Sequence, residues 1–500
     1  MMKKKYLILL VVMSLITSNS SNAQDVIGKL VVGYQGWFAC QGDGSPKNAW
    51  NHWAKNSTIP APNNQTFELW PDVREFSKTY QTGYANLGNG QPAQLYSSYD
   101  DQVVNKHFEW MQQYGIDCVA LQRFGSELTS STMKPHRDGM AQKVKNAAIT
   151  YERKFYIMYD ISGWTNFQTE IKTDWTNTIV GMLKLTSSPA YAKENSKPVV
   201  CIWGPGVSGR PGNVTSWLEV INWFKSQGCY VIVGSTKTWR SQTANLPAFN
   251  AGNMISPWIV GGYFDAAGAD DYANTVMTDD IQYCKANSIE FQPVILPGFA
   301  WSNWNSPPQN KIARMHGDFM WRQFYNIRNK GVVNMYVAMF DEFDEGTAIA
   351  KAAENASMKP SNQYFLTLDA DGVACSSDFY LRLTGDGAKM VKGLIELTPT
   401  HPTPHITVSG INKPNDSGKP IIKMYPNPLL YGTLSIEIDY TGIWTRPYIQ
   451  ISNLMGQIVY QKPITSKTIK INTTGLLYES TYLVAVLSEQ STVTKLLVVQ

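Results

Sequence analysis

Eight short apolar runs, most of them separated by segments of helical period, predict a (β/α)8 TIM barrel over residues 24–397. The runs are rich in β-branched and aromatic residues and lie between residues 30 and 340. A linker rich in Pro, Thr and Ser is predicted at 398–420, and alternating apolar residues over 421–500 predict a small C-terminal β-sandwich. The predicted fold class is therefore α/β, with a second, all-β domain.

The predicted barrel strands follow one another at the spacing of βα units. In chain order they read KLVVGYQGWF, IDCVALQRF, FYIMYD, PVVCIWG, YVIVGST, MISPWIVG, EFQPVILPGFAW and NMYVAMFDE. Apolar residues recur at steps of three and four in the stretches 102–114, 213–227 and 270–287, each of which ends at or near Gly or Ser. We expect these stretches to be helices on the outside of the barrel.

The first 23 residues have the pattern of an export signal. Three lysines precede an apolar stretch over residues 6–16, and small residues follow at 21–23. Without this segment the formal charge falls from +4 to +1, which gives no indication of a nucleic-acid partner. No later stretch approaches the roughly 20 apolar residues of a membrane helix. We therefore expect a secreted or surface-attached protein with no membrane span.

The composition argues against a disulfide framework and against a cofactor. Six cysteines are few for 500 residues, although one bridge is left open. Gly204, Gly206 and Gly209 have dinucleotide-fingerprint spacing, but two prolines interrupt the turn into a helix. The six histidines show no paired metal-ligand spacing. His52 lies near a strand end, where both a site role and a structural role are open.

Four acids follow the last predicted strand almost without a break. They are Asp341, Glu342, Asp344 and Glu345. Barrel enzymes place their chemistry at the carboxyl ends of the strands, and Gly346 permits a sharp turn that would bring Glu342 and Glu345 to the same mouth. Two neighbouring carboxyls with different proton affinities are the usual device of glycoside hydrolysis. The alternative is that the acids begin the next helix, where negative charge is favoured.

Other residues at predicted strand ends are candidates for binding substrate. Aromatic rings offer stacking area, and charged groups can bind hydroxyls. The candidates are Tyr34, Trp37, Arg123, Asp160, Trp203, Trp258, Tyr263, Trp301, Trp304 and Asp341. For any single one of them, a role in barrel packing is an equal alternative.

The barrel region resembles the glycoside hydrolase family 71/99-like group, whose best-studied members are the family 99 endo-α-1,2-mannosidases. The resemblance rests on VVGYQGWFACQGDGSPKNAWNHWA, VALQRFGSEL, GDFMWRQFYN, FDEFDEGTAIA and YFLTLDADGVACSSDFYLRLTGDGAKMVKG. The family signature reads Glu-Trp-His-Glu-Gly-Thr. This chain has the Glu pair and the Gly-Thr, with Phe343 and Asp344 in place of the Trp and His.

The resemblance implies a retaining mechanism. Glu342 would deprotonate the 2-hydroxyl of the sugar while Glu345 protonates the leaving oxygen, and Glu345 would then activate water to open a 1,2-anhydro sugar. That route requires a 2-oxygen trans to the leaving group, as in an α-mannoside. A role for Glu342 as direct nucleophile is the alternative and would admit other sugars.

The C-terminal residues resemble the type A C-terminal sorting domain of type IX secretion, through KMYPNP, NLMGQIVYQ and TYLVAVLSEQSTVTKLLVVQ. This resemblance implies the type IX secretion machinery as a partner. The sequence therefore predicts a secreted glycoside hydrolase that cleaves an α-linked polysaccharide, with α-mannan favoured. The alternatives are a non-catalytic carbohydrate-binding protein on a degenerate barrel, or a glycosidase acting on α-glucan, xylan or arabinan.

Overall fold

The computed structural model describes residues 24–306, 308–406, 421–430, 432–439, 447–453, 457–487 and 492–499. The predicted export signal and residues 407–420 of the predicted linker lie outside the described residues. The chain divides into two compact units, with the boundary between Ile406 and Thr407. Residues 398–406 belong to the first unit, where the indole N–H of Trp321 donates to the carbonyl oxygen of Thr398 at 2.9 Å.

The first unit is built on a parallel sheet that closes into a barrel. Its strands are β1 Leu30–Tyr34, β2 Cys118–Phe124, β3 Lys154–Asp160, β4 Lys197–Trp203, β5 Tyr230–Thr236, β6 Met254–Trp258, β7 Glu290–Phe291, β8 Val294–Ile295 and β9 Met335–Val337. Neighbouring strands pair in the order β7-β6-β5-β4-β3-β2-β1-β9-β8. The predicted (β/α)8 barrel is confirmed, with its seventh strand present as two short pieces.

Closure of the barrel depends on those two pieces. Strand β7 pairs with β6, whereas β8 pairs with β9. Between them, Gln292 N donates to the Ile255 carbonyl at 2.9 Å and Tyr336 N donates to the Pro293 carbonyl at 3.1 Å. Residues 290–295 therefore join β6 to β9, so the sheet has no free edge at this point.

Helices cover the outside of the barrel. They are α1 Asp101–Gln113, α2 Met133–Thr150, α3 Phe167–Thr173, α4 Val214–Ser226, α5 Leu246–Ala251, α6 Ala266–Tyr272, α7 Thr278–Ala286, α9 Asp318–Asn329 and α10 Phe379–Val391. The four-residue α8 Ser302–Asn305 lies instead in the loop between β8 and α9. Asp174–Met182 continues α3 with π-helical turns, and Ala273–Met277 joins α6 to α7 in the same way. Asn213 caps α4 by accepting from Ser216 N at 3.1 Å.

Shorter elements complete this unit. Strands Tyr80–Gln81 and Gln94–Leu95 form a hairpin, and Lys193–Glu194 pairs antiparallel with β4. Single 3₁₀ turns lie at Gly125–Glu127, Trp239–Ser241, Thr243–Asn245, Met315–Gly317 and Ala356–Met358. All six cysteines are free and buried. In the part of the chain that the structure describes, no helix has the length and apolar character to cross a membrane.

The second unit consists of two antiparallel sheets around a shared apolar core. Its strands are β10 Ile421–Tyr425, β11 Thr433–Asp439, β12 Tyr448–Asn453, β13 Ile458–Pro463, β14 Thr468–Asn472, β15 Ser480–Leu487 and β16 Thr492–Val499. One sheet has the order β10-β11-β14 and the other β13-β12-β15-β16. Ile436 from the first and Ile451 and Val484 from the second are fully buried in this core. The predicted C-terminal β-sandwich is confirmed.

Candidate active site

The four acids lie in a compact turn after β9. Phe340 N donates to the Gly33 carbonyl at 2.8 Å, and Thr347 N donates back to the Glu342 carbonyl at 3.1 Å. Gly346 has φ +61°, and a Cβ there would lie 2.8 Å from the Ala300 side chain. Residues 338–350 contain turns and no helix. The alternative that the acids begin a helix is therefore wrong.

The side chain of a buried arginine stabilises this turn by bonding to the backbone of the turn. The Arg314 guanidinium donates from Nη2 to the carbonyl oxygens of Gly346 at 2.9 Å and Ala348 at 2.7 Å. It also lies over the Tyr380 ring, 4.5 Å from its centroid. In this turn Arg314 donates to backbone carbonyl oxygens and not to the carboxylates, so the carboxylates can have other partners.

The acids of the turn point to different places. Asp341 is fully buried and accepts two backbone hydrogen bonds, from Gln35 N at 2.7 Å and Gly36 N at 2.9 Å. It therefore joins the last strand to the loop after β1, and burial raises its pKa to about 7. Asp344 is also fully buried, and its Oδ2 lies 2.8 Å from Nδ1 of His52.

Glu342 and Glu345 instead line one pocket of about 410 Å³. The pocket lies at the carboxyl ends of the barrel strands, where β2, β3, β4 and β6 end. Its other lining residues are Gln35, Trp37, His52, Gln122, Phe124, Glu127, Asp160, Ser162, Trp203, Arg210, Trp258 and Trp304. The structure thus brings together the two glutamates that the sequence pairs.

Burial and mutual repulsion raise the proton affinity of the pair. The pKa of Glu345 is raised to about 7, first by burial and then by the charge of Asp344. The pKa of Glu342 is raised well above its usual value by burial and by the charges of Glu345, Asp344 and Asp341. Because the two groups repel each other, they release their protons in separate steps, so one carboxyl can be protonated while the other is ionised.

Hydrogen bonding distinguishes the two glutamates. Gln35 Nε2 donates to Glu342 Oε1 at 3.2 Å, and the Thr347 hydroxyl donates to Glu342 Oε2 at 3.4 Å. An amide N–H can only donate, so this contact favours the ionised form of Glu342. Among the described residues, no hydrogen bond to the Glu345 carboxyl is recorded. The charge of Glu345 is the next cause after burial that raises the pKa of Glu342, and it acts against ionisation of Glu342, whereas these two hydrogen bonds act in favour of it. The hydrogen bonds are the reason to place a base or nucleophile at Glu342 and a proton donor at Glu345.

Aromatic rings and two further acids form much of the remaining pocket wall. The rings of Trp203 and Trp258 meet edge to face, with 5.7 Å between centroids. Burial raises the pKa of Asp160. Burial is also the largest single influence on Glu127, but the charge and the hydrogen bond of Arg137, together with smaller contributions from His52 and His136, outweigh it and lower the pKa of Glu127. Such a wall offers flat apolar faces beside hydrogen-bond acceptors, which is the chemistry that sugar rings require.

Five of the residues predicted at strand ends line this pocket and five do not. Trp37, Asp160, Trp203, Trp258 and Trp304 line it. The residues outside its lining have other partners. The hydroxyl of Tyr34 bonds His107 Nδ1 at 2.9 Å, that of Tyr263 donates to Gln323 at 3.1 Å, and Trp301 lies beneath Lys311, whose Nζ is 5.4 Å from its ring. Asp341 and Arg123 are the other two.

Arg123 is turned away from the pocket by the pleat of β2. Gln122 and Phe124 line the pocket, so the residue between them points to the opposite face. There Arg123 is fully buried and donates to Asp174 at 2.7 and 2.6 Å and to Asp138 at 2.7 Å. It joins β2 to α2 and to the π-helical continuation of α3.

Several lining residues were not singled out from the sequence. They are Gln35, Gln122, Phe124, Glu127, Ser162 and Arg210. A usable signal was present for two of them, because Gln35 and Gln122 are polar residues inside apolar strand runs. A buried polar side chain at the end of a strand needs a partner, and a ligand is one candidate. His52, which the sequence left open, also lines the pocket.

Comparisons with known proteins agree with this architecture. Residues 423–500 match the family described as secretion system C-terminal sorting domain. Two solved structures of the GH99 endo-alpha-mannosidase from Bacteroides thetaiotaomicron, one of them in complex with bis-tris propane, are similar, with TM-scores of 0.53 and 0.54. Each is 15% identical to this chain and covers 74% of it and 98% of its own length. A search of curated proteins gave no match.

At this level of identity, the similarity to solved structures establishes the fold of the barrel. The chain therefore combines a barrel of the fold seen in a GH99 endo-alpha-mannosidase with a secretion system C-terminal sorting domain at residues 423–500.

Proposed function

We propose that the chain is a secreted, retaining glycoside hydrolase that cleaves an α-linked polysaccharide, with α-mannan as the favoured substrate. The observation that carries the proposal is the pair of neighbouring glutamates, Glu342 and Glu345, in one pocket at the carboxyl ends of the barrel strands. Their raised pKa values allow one to hold a proton at neutral pH while the other is ionised. Glycosidic cleavage requires that combination.

In the proposed reaction, Glu345 donates its proton to the leaving glycosidic oxygen. Glu342 takes the proton of the 2-hydroxyl, and the 2-oxygen attacks the anomeric carbon from the opposite face. Water then opens the 1,2-anhydro sugar, giving its proton to Glu345 while Glu342 returns a proton to the 2-oxygen. Two inversions give net retention. If Glu342 instead attacks the anomeric carbon directly, retention is also expected, and sugars other than mannose become substrates.

The favoured substrate rests on two supports. An α-mannoside holds its 2-oxygen trans to the leaving group, as the proposed attack requires, and the B. thetaiotaomicron protein of the same fold is an endo-alpha-mannosidase by name. The sorting domain at 423–500, together with the N-terminal export pattern, supports secretion or attachment at the cell surface through the type IX machinery.

A polysaccharide panel tests the proposal. The wild-type chain and Glu345→Gln are incubated with α-mannans, α-glucans, xylans and arabinans, and new reducing ends are measured. We expect release from α-mannan by the wild type and almost none by the variant. The matched control is Glu219→Gln, since Glu219 is an exposed glutamate on α4 paired with Lys172. Binding to a polysaccharide without cleavage of the whole panel would favour a non-catalytic carbohydrate-binding protein.

A further inference from the structure

Several contacts hold the imidazole of His52 in one orientation at the pocket wall. The ring stacks on Trp37 with 3.7 Å between centroids and 6° between planes. Its Nδ1 lies 2.8 Å from Oδ2 of Asp344, whose side chain is fully buried, while the His52 side chain remains 22% exposed. The ring lines the same pocket as Glu342 and Glu345. A stacked face and a bonded nitrogen leave the ring one free polar edge.

The contact with Asp344 also determines the hydrogen-bonding character of that edge. A carboxylate can only accept, so Nδ1 carries the proton in this contact and a neutral ring has its lone pair at Nε2. No hydrogen bond to Nε2 is recorded among the described residues. The free edge is therefore an acceptor when the ring is neutral and a donor when it is charged.

The backbone at His52 adds a second, independent observation. His52 has φ +58°, in the left-handed region that side chains with a Cβ seldom adopt. Residues held in such conformations are concentrated at functional sites, where the surrounding contacts compensate for the strain. The next residue, Trp53, is fully buried, whereas the ring of His52 is partly exposed and faces the cavity.

We propose that His52 is a substrate-binding residue whose Nε2 bonds a hydroxyl of the sugar bound beside Glu342 and Glu345, and that Asp344 is the positioning residue that fixes its tautomer. The inference rests on the proposed function and specifies one contact of the glycan within that site. It also gives a role to Asp344, the acid between the two glutamates that does not itself line the pocket.

Two substitutions of His52 separate binding from structure. Gln places its terminal amide near the position of Nε2, whereas Asn places its amide near Nδ1 and tolerates a left-handed backbone well. In a Glu345→Gln background, which preserves the glycan, His52→Gln should retain affinity for an α-mannan oligosaccharide to within about threefold. His52→Asn should weaken it by about tenfold or more, because the hydroxyl loses its partner. Melting temperatures of both variants serve as the folding control.

The decisive measurement is ¹⁵N NMR of the full chain labelled only at its six histidines, with His52 assigned from the spectrum of His52→Asn. We expect the Nδ1–H tautomer in the wild type, a smaller fraction of it in Asp344→Asn, and a shift of Nε2 when the α-mannan oligosaccharide is added. The opposite tautomer, or an unchanged Nε2 while indole signals of the pocket move, overturns this inference and leaves the proposed function standing. An absence of both cleavage and any pocket response overturns the two together.

Discussion

Replacing Glu345 with Gln changes stability in a pH-dependent way that can be worked out from the burial of the carboxyl. The pKa of Glu345 is about 7 in the folded protein, against an ordinary value of 4.5. Between those two values the folded chain keeps a proton that the unfolded chain has released. Rising pH therefore lowers the stability of the wild type across this window. Gln does not titrate, so the variant escapes this loss.

The size of the effect follows from the separation of the two pKa values. One pKa unit corresponds to about 1.4 kcal/mol, so the full separation corresponds to about 3 kcal/mol as an upper bound. Relative to the wild type, the free energy of unfolding of Glu345→Gln should rise by up to about 3 kcal/mol between pH 4 and pH 8. Urea unfolding followed by tryptophan fluorescence measures the difference. The kcat should meanwhile fall by about 10²- to 10⁴-fold, because the general acid is lost.

Glu219→Gln is again the control for this experiment. It removes one carboxylate from the surface, where the neighbouring Lys172 lowers the carboxyl pKa. Its stability relative to the wild type should not rise with pH, and its kcat should be unchanged. If the stability difference for Glu345→Gln is the same at pH 4 and pH 8, the reasoning from burial is refuted.

Further predictions concern three residues around the site. Asp341→Asn should lower the free energy of unfolding by about 1–3 kcal/mol, measured by urea unfolding at pH 4, because one buried backbone N–H loses its acceptor. The deficit should shrink as pH rises, since the carboxyl whose pKa is about 7 is no longer present; an unchanged value at pH 4 would contradict this. Arg123→Leu should cost about 3–5 kcal/mol in the same assay by leaving the buried Asp174 without a charged partner, with kcat/KM per folded molecule retained; a loss of kcat/KM in a stable variant would favour substrate binding by Arg123. Trp304→Ala should raise KM about 2- to 10-fold with an unchanged melting temperature, since this rim ring is 44% exposed; an unchanged KM would remove Trp304 from the binding surface.

The barrel and the position of the acids could be predicted from the sequence because both depend on local patterns. Apolar runs at βα spacing indicate the strands. Acids that follow the last run directly lie at the carboxyl end of a barrel strand, and that end is at the mouth. Gly346 was informative for the same reason, since a turn with φ +61° beside Ala300 has no room for a side chain.

The orientation of strand-end residues could not be predicted in the same way. Strands of a parallel barrel are buried on both faces, so they read as continuous apolar runs without alternation. Nothing in the run VALQRF shows that Gln122 and Phe124 face the pocket while Arg123 faces the helices. Contacts between distant parts of the chain were equally hidden, above all that between His52 and Asp344, which are 292 residues apart.

The most direct test of the central claim is the anomeric configuration of the first product. Proton NMR of an α-mannan digest, recorded within the first minutes, distinguishes an α from a β reducing end before mutarotation mixes them. A glutamate pair acting as proposed predicts that the α-anomer forms first with the wild type and that Glu345→Gln forms almost no product in the same time. A β-anomer formed first, or undiminished product from the variant, would contradict the assignment of Glu342 and Glu345 as a retaining pair.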